Sequence, residues 1–289
     1  MRLQTKYILA LPLLIFLISL IVFPMAYLWF LSFNNVTFVD LSPSFVGLNN
    51  FYSALTSIRG ILGPIFFSFK YALISVIIQV PLAIGFALLF NRKFRGKNFF
   101  IIIILLPIFT SRVLLGIMGK LMFQEGIGTA AFFVNSVLKP FGLSVSLLSP
   151  EFALWSLIIL DSILWTPFIF LFVYVALQSL PKEYIEAAAI DGASKFGTFK
   201  NIILPYLTPI LAIMGIIRFA DAFKTFDIIY AVTGGGPGTL TTTYSIRIYE
   251  NAFVAGDYGL AAAASLLGFF ILFVPLMLVL KYTRRKWRR

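Results

Sequence analysis

The stretch "EYIEAAAIDGASKFGTFKNIILPYLTP", Glu183–Pro209, decides how this chain is read. It is charged and alanine-rich, and it falls between two long apolar runs at about 152–177 and 204–225. It is too polar to lie in lipid, whereas its flanks are too apolar to lie in water. A chain that alternates in this way crosses a bilayer and exposes a polar segment between two crossings.

The bulk composition agrees. Of 289 residues, 60% are hydrophobic and 12% are charged, and Phe alone supplies 33. The mean hydropathy is +0.98. Soluble domains carry about 25% charged residues. The chain is therefore an all-α integral membrane protein. Backbone groups in lipid must pair within their own segment, and the apolar runs lack the alternation of barrel strands.

Six runs approach the roughly 20 apolar residues that a helix needs to cross. They lie at about 8–31, 66–90, 99–122, 152–177, 204–225 and 258–281. The first is too long for the apolar core of a signal peptide. Residues 1–289 are expected to form a single transmembrane domain.

The formal charge is +12. The basic residues cluster in "NRKFRGKN" (91–98), in Lys182, Lys195 and Lys200, in the tail "KYTRRKWRR" (281–289), and in Arg2 and Lys6. The alternate loops hold only Arg59, Lys139 and Arg247. By the positive-inside rule both termini are cytoplasmic, and the basic charge serves orientation rather than nucleic acid. The chain has no Cys and no His. It thus lacks thiolate ligands, the commonest general base and the commonest metal ligand. No catalytic set and no metal site are expected.

Within the opening stretch, Pro181 suits a first helical turn, and Glu183 and Glu186 suit the positive end of a helix dipole. Ala187, Ala188 and Ala189 are strong helix formers, and Gly192 permits a left-handed turn. A second short helix is expected from about Ser194 to Ile203, before Pro205 and Pro209. The product is a cytoplasmic helix–turn–helix over about 182–203. Its alanine face admits a close partner. Composition leaves it open between a surface hairpin and a docking element.

Glu186, Ala187, Ala188, Asp191, Gly192, Ala193, Ile202, Leu204 and Pro205 match a longer pattern. The segment resembles the EAA loop of membrane (permease) subunits of binding-protein-dependent ABC importers. "RFADAFKTFDIIYAVTGGGPG" and "FVGLNNFYSAL" resemble the sugar type, the permeases for maltose, trehalose and glycerol phosphate. The resemblance runs from about residue 8 to 281. It implies six transmembrane helices in the MetI-like ABC importer permease fold, in the cell (cytoplasmic or inner) membrane of a prokaryote. It also implies a second permease subunit, two ATPase subunits, an external solute-binding protein and a sugar as cargo. In the family the EAA helix seats in a cleft of the ATPase. Glu186 would then meet a basic group there, Gly192 would give the turn, and Phe196 and Phe199 would pack in or beside the cleft. ATP and Mg would reside on the ATPase. The phosphate-cradling G-x-x-x-x-G-K-S/T is absent here, and "GIMGK" at 116–120 lacks its spacing.

Charges within spans usually face a cavity or one another. Asp161 shares a helix face with Leu164, Trp165 and Phe168. A carboxylate beside aromatic rings suits a sugar, whereas packing and ion pairing suit the same residues equally. The resemblance places sugar contacts in this part of the helix, and near Asp221, Phe223 and Lys224. Arg218, Asp221, Lys224 and Asp227 also read as a self-neutralised ladder along one helix. Arg112 and Lys120 lack an evident partner, Asp161 being one candidate for Arg112. The alternatives are the same machinery carrying glycerol phosphate or a polyamine, or an ATP-independent secondary transporter. The last would call for inverted repeats, and none is visible.

Overall fold

The computed structural model describes residues 2–287. For residues 2–6, 8, 10, 278–280 and 282–287 it describes the backbone alone. The orienting residues Arg2, Lys6, Arg284, Arg285 and Lys286 fall in that backbone-only group, and Arg288 and Arg289 lie outside the described residues.

Among the described residues the regular structure is helical apart from an isolated bridge, Thr37 with Asp257, and a two-residue antiparallel pair, β1 (Asn34–Asn35) with β2 (Ser44–Phe45). In order, the helices are α1 (Arg2–Phe33), α2 (Asn49–Thr56), α3 (Leu62–Phe90), α4 (Lys97–Leu105), α5 (Arg112–Phe123), α6 (Thr129–Leu138) and α7 (Ala153–Gln178). Then come α8 (Lys182–Ile190), α9 (Lys195–Thr198), α10 (Leu204–Phe223), α11 (Asp227–Thr233), α12 (Tyr244–Tyr249) and α13 (Tyr258–Trp287). Among the described residues five helices are long and apolar enough to cross a membrane, or six if one bent pair counts as a span.

That bent pair corrects the continuous third span expected at 99–122. α4 and its short 3₁₀ extension meet α5 at 98°. Pro107 removes a backbone donor and crowds the preceding turn. Thr110 and Ser111 then take extended conformations, so the helix restarts at Arg112 in a new direction. The fifth span differs at its start. Helix runs without a break from Lys195 to Phe223, through a wide π turn at Phe199–Ile203. The wide turn lies directly before Pro205, which has no N–H for a regular turn. The second short helix therefore does not stop at Ile203. It is the beginning of the span.

The chain divides into two compact units. One comprises residues up to Ile65 with Tyr244–Val274. Its core holds Ala54, Ile61, Leu260 and Ala264. Asn50 ties α2 to the end of α1 by donating to the carbonyls of Ser32 (3.0 Å) and Asn34 (2.9 Å). The Tyr244 hydroxyl donates to the Ser265 carbonyl at 2.9 Å, and its ring fills space that Gly268 leaves open.

The other unit comprises Phe66–Thr243 and the chain from Pro275. α7 is its centre. Ile169, Phe170, Val173 and Leu177 pack against Ala83, Ala87 and Phe90 of α3 and Leu207 and Met214 of α10. α5 packs on α11, where a Cβ on Gly116 would meet the Ala231 methyl at 2.7 Å and the Ile228 carbonyl at 3.2 Å. The glycines of "GIMGK" therefore serve helix packing. The glycine-rich loop 234–238 is a hydrogen-bonded corner. Buried Thr242 donates to the Gly235 carbonyl at 3.1 Å, and buried Thr243 donates to the Thr225 carbonyl at 2.9 Å.

Candidate functional site

The opening stretch forms an exposed helix–turn–helix. α8 ends in a Schellman turn, in which Ala193 N–H donates to the Ala188 carbonyl (2.9 Å) and Gly192 N–H to that of Ala189 (3.1 Å). Gly192 has φ +73°, the left-handed conformation that the turn requires. Ser194 caps α9 by accepting from the Gly197 N–H at 3.1 Å. Ala188 is buried, whereas Glu186, Ala187 and Asp191 are exposed. Ile190 (86%) and Phe196 (71%) present bare apolar surface, and Phe199 and Pro205 lie nearer the span. Tyr206 ties this region to the end of α7 by donating to the Ser179 carbonyl at 3.1 Å. Between them is a groove of about 480 Å³ lined by Leu180, Tyr184, Asn201 and Ile202.

At the other end of the Lys195–Phe223 helix, four charged side chains alternate in sign. Arg218 is fully buried and pairs with Asp161, which is 3% exposed. Its Nη1 lies 3.5 Å from Asp221 Oδ2. Asp221 in turn meets both guanidinium nitrogens of Arg112, Nη1 at 3.2 Å and Nη2 at 3.5 Å. Gln79 completes the cluster from α3. Its carbonyl accepts from Arg218 Nε at 2.6 Å, and its amide donates to Asp161 at 2.9 Å and to Ser162 at 3.2 Å. Trp165 stands beside both cations, with the guanidinium carbons of Arg218 and Arg112 at 4.8 and 5.2 Å from its ring centre. Leu164, Trp165 and Phe168 line a cavity of about 200 Å³ with Ile108, Thr110 and Arg112.

This geometry revises several expectations. Asp161 is not a free acceptor for a sugar, because burial and its pairing with Arg218 and Gln79 sequester the carboxylate. Arg112 pairs with Asp221, not with Asp161, because α5 restarts after the bend beside α10. The four residues of the expected ladder do not share one helix. α10 ends at Phe223, Lys224 caps it, and Asp227 opens α11. Phe223 is 2% exposed, while Lys224 is exposed. Gln79 escapes the sequence reading altogether. Its signal was the spacing of Tyr71, Ser75 and Gln79, which puts the polar residues of an apolar run on one face of α3.

The family model for the binding-protein-dependent transport system inner membrane component matches residues 79–289. The chain belongs to that family. As such a component it is a multi-pass membrane protein with a transport role. The trehalose/maltose transport system permease protein MalF of Thermococcus litoralis is 36% identical over 281 residues, covering 96% of this chain and 93% of that protein. The multiple sugar-binding transport system permease protein MsmF of Streptococcus mutans is 32% identical, with 91% and 89% covered. The sn-glycerol-3-phosphate transport system permease protein UgpA of Agrobacterium fabrum is 30% identical, with 90% and 88% covered. The component's fold matches a crystal structure of a bacterial ABC transporter involved in import of the acidic polysaccharide alginate. The TM-score is 0.84 at 23% identity, over 98% of this chain and 96% of that one.

Proposed function

We propose that this chain is one permease half of an ATP-driven sugar importer, carrying a di- or oligosaccharide handed over by an external binding protein. A second permease chain would complete the path. Two ATPase subunits, holding ATP and Mg, would dock on the two EAA segments. Both termini would lie in the cytoplasm, and the membrane would be the cytoplasmic or inner membrane of a prokaryote.

One observation carries the reading. The second helix of the exposed coupling segment runs on without interruption, Lys195–Phe223, to Arg218 and Asp221 of the charged cluster. At about 1.5 Å per residue, Arg218 sits roughly 35 Å from Lys195. A displacement of the segment would therefore reach Arg218 and Asp221, whose ion pairs tie α10 to α7 and α5. Alternating access follows when ATP draws the coupling segments together and the cavity beside Trp165 changes its opening. The sugar cargo is supported by relatives that carry trehalose, maltose or multiple sugars. A glycerol phosphate relative of similar coverage supports the second reading, an anionic cargo. Mixed charges at the cluster disfavour a polyamine.

The experiment is Glu186→Lys in the assembled transporter. We expect ATP-driven uptake and binding-protein-stimulated ATPase activity to fall at least tenfold while the chain still inserts and assembles. Normal uptake with normal stimulation would remove the coupling role.

A further inference from the structure

We propose that Asp221 masks Arg112, making the Trp165 cavity selective for uncharged solutes, with Asp221 as the specificity-determining residue. This rests on the cavity being a solute site, as proposed above.

The four linked side chains carry two positive and two negative charges. Three of them are withdrawn from the cavity: Arg218 is fully buried, and the side chains of Asp161 and Asp221 are 4% and 16% exposed. Arg112, at 37%, is the one that lines the cavity. Both of its terminal nitrogens already face the Asp221 carboxylate. The rest of the wall (Ile108, Thr110, Leu164, Trp165 and Phe168) is uncharged. Gln79 supports the same balance. It satisfies Arg218 Nε with a neutral carbonyl, where a carboxylate would have left the cluster with a net negative charge.

An anionic solute at the remaining N–H groups of Arg112 would face the adjacent Asp221 carboxylate in a medium that screens charge weakly. A cationic solute meets no uncovered carboxylate, because Asp221 lies between two guanidiniums. A neutral polyol meets no such repulsion. It can accept from guanidinium N–H groups not aimed at Asp221, since Arg carries five.

The test uses the purified permease–ATPase complex without binding protein, titrated with methyl glucoside and with glucose 6-phosphate. Quenching of Trp165 is isolated by subtracting a Trp165→Phe complex. In the unaltered protein we expect the glucoside to bind at least tenfold more tightly than the phosphate. Asp221→Asn, which uncovers Arg112, should shift that ratio at least tenfold toward the phosphate, and high salt should abolish the shift. Arg112→Gln should shift it at least tenfold the other way, and the double variant should restore the original ratio. Arg112→Gln alone decides the matter if Asp221→Asn does not assemble. Equal or tighter phosphate binding by the unaltered protein, or a ratio unmoved by either variant, overturns the proposal. Failure of both ligands to quench Trp165 would instead sink the cavity as a solute site, and the proposal with it.

Discussion

Arg218 shows what one buried cation demands of its surroundings. Its guanidinium is met by Asp161, Asp221 and Gln79 from three helices and flanked by an indole. Removing one partner of a buried pair leaves the other charge uncompensated, which costs about 3–5 kcal/mol. Arg218→Met should therefore lower the thermal midpoint of the detergent-solubilised complex sharply. Arg218→Met with Asp161→Leu should recover part of the loss, since apolar side chains then replace the pair. A single variant as stable as the parent would mean that the cluster is not structurally required. The expense of charge within a span was legible in the sequence, because Asp161, Arg112 and Arg218 each stand out in an apolar run. Partner choice was not. Arg112 reaches Asp221 only because the chain bends before it, and no one-dimensional spacing reports that. Gln79 was hidden by being neutral.

Among the elements, α5 departs furthest from expectation. The run at 99–122 has the length and apolarity of a span. Pro107 alone did not mark the break, since Pro24, Pro81, Pro167 and Pro209 lie within continuous helices here. The distinguishing signal was Pro107 followed closely by Thr110 and Ser111, the side chains that favour a new helix start. Once turned, α5 lies against α11 through Gly116. Gly116→Val should cost about 1–3 kcal/mol, because the Ile228 backbone cannot move aside. Gly85→Ala is the control. Nothing lies within 4 Å of its added methyl, so it should leave the melting midpoint near that of the parent. Equal effects of the two would show that α5 does not depend on this close approach. The coupling segment, by contrast, was readable almost residue by residue, because capping and turn preferences are local. Only its continuity with the span was missed, since Pro205 reads as a stop and a π turn carries the helix through it.

For the whole molecule, the membrane class and the number of apolar runs were evident from hydropathy. The division into two units was not, because it depends on which distant helices share a core. The bend at Leu106–Ser111 has a consequence at this scale. The N–H groups of Arg112, Val113 and Leu114 precede the first bond of α5, from Leu115 to Ser111, so the helix's own carbonyls do not satisfy them. Hydrocarbon offers no substitute. Water reaching the bend would satisfy them, and this part of the chain would then behave as aqueous surface. The absence of Cys makes that directly measurable, because any introduced thiol on this chain is unique. Ser111→Cys should react in intact membranes with a charged, membrane-impermeant maleimide, whereas Ile103→Cys on α4 should react only after detergent is added. If both thiols stayed silent until solubilisation, lipid rather than water would cover the bend. If Ser111→Cys labels as expected, its rate with and without ATP reads the opening and closing of the aqueous route, turning a break in one helix into a reporter of the transport cycle.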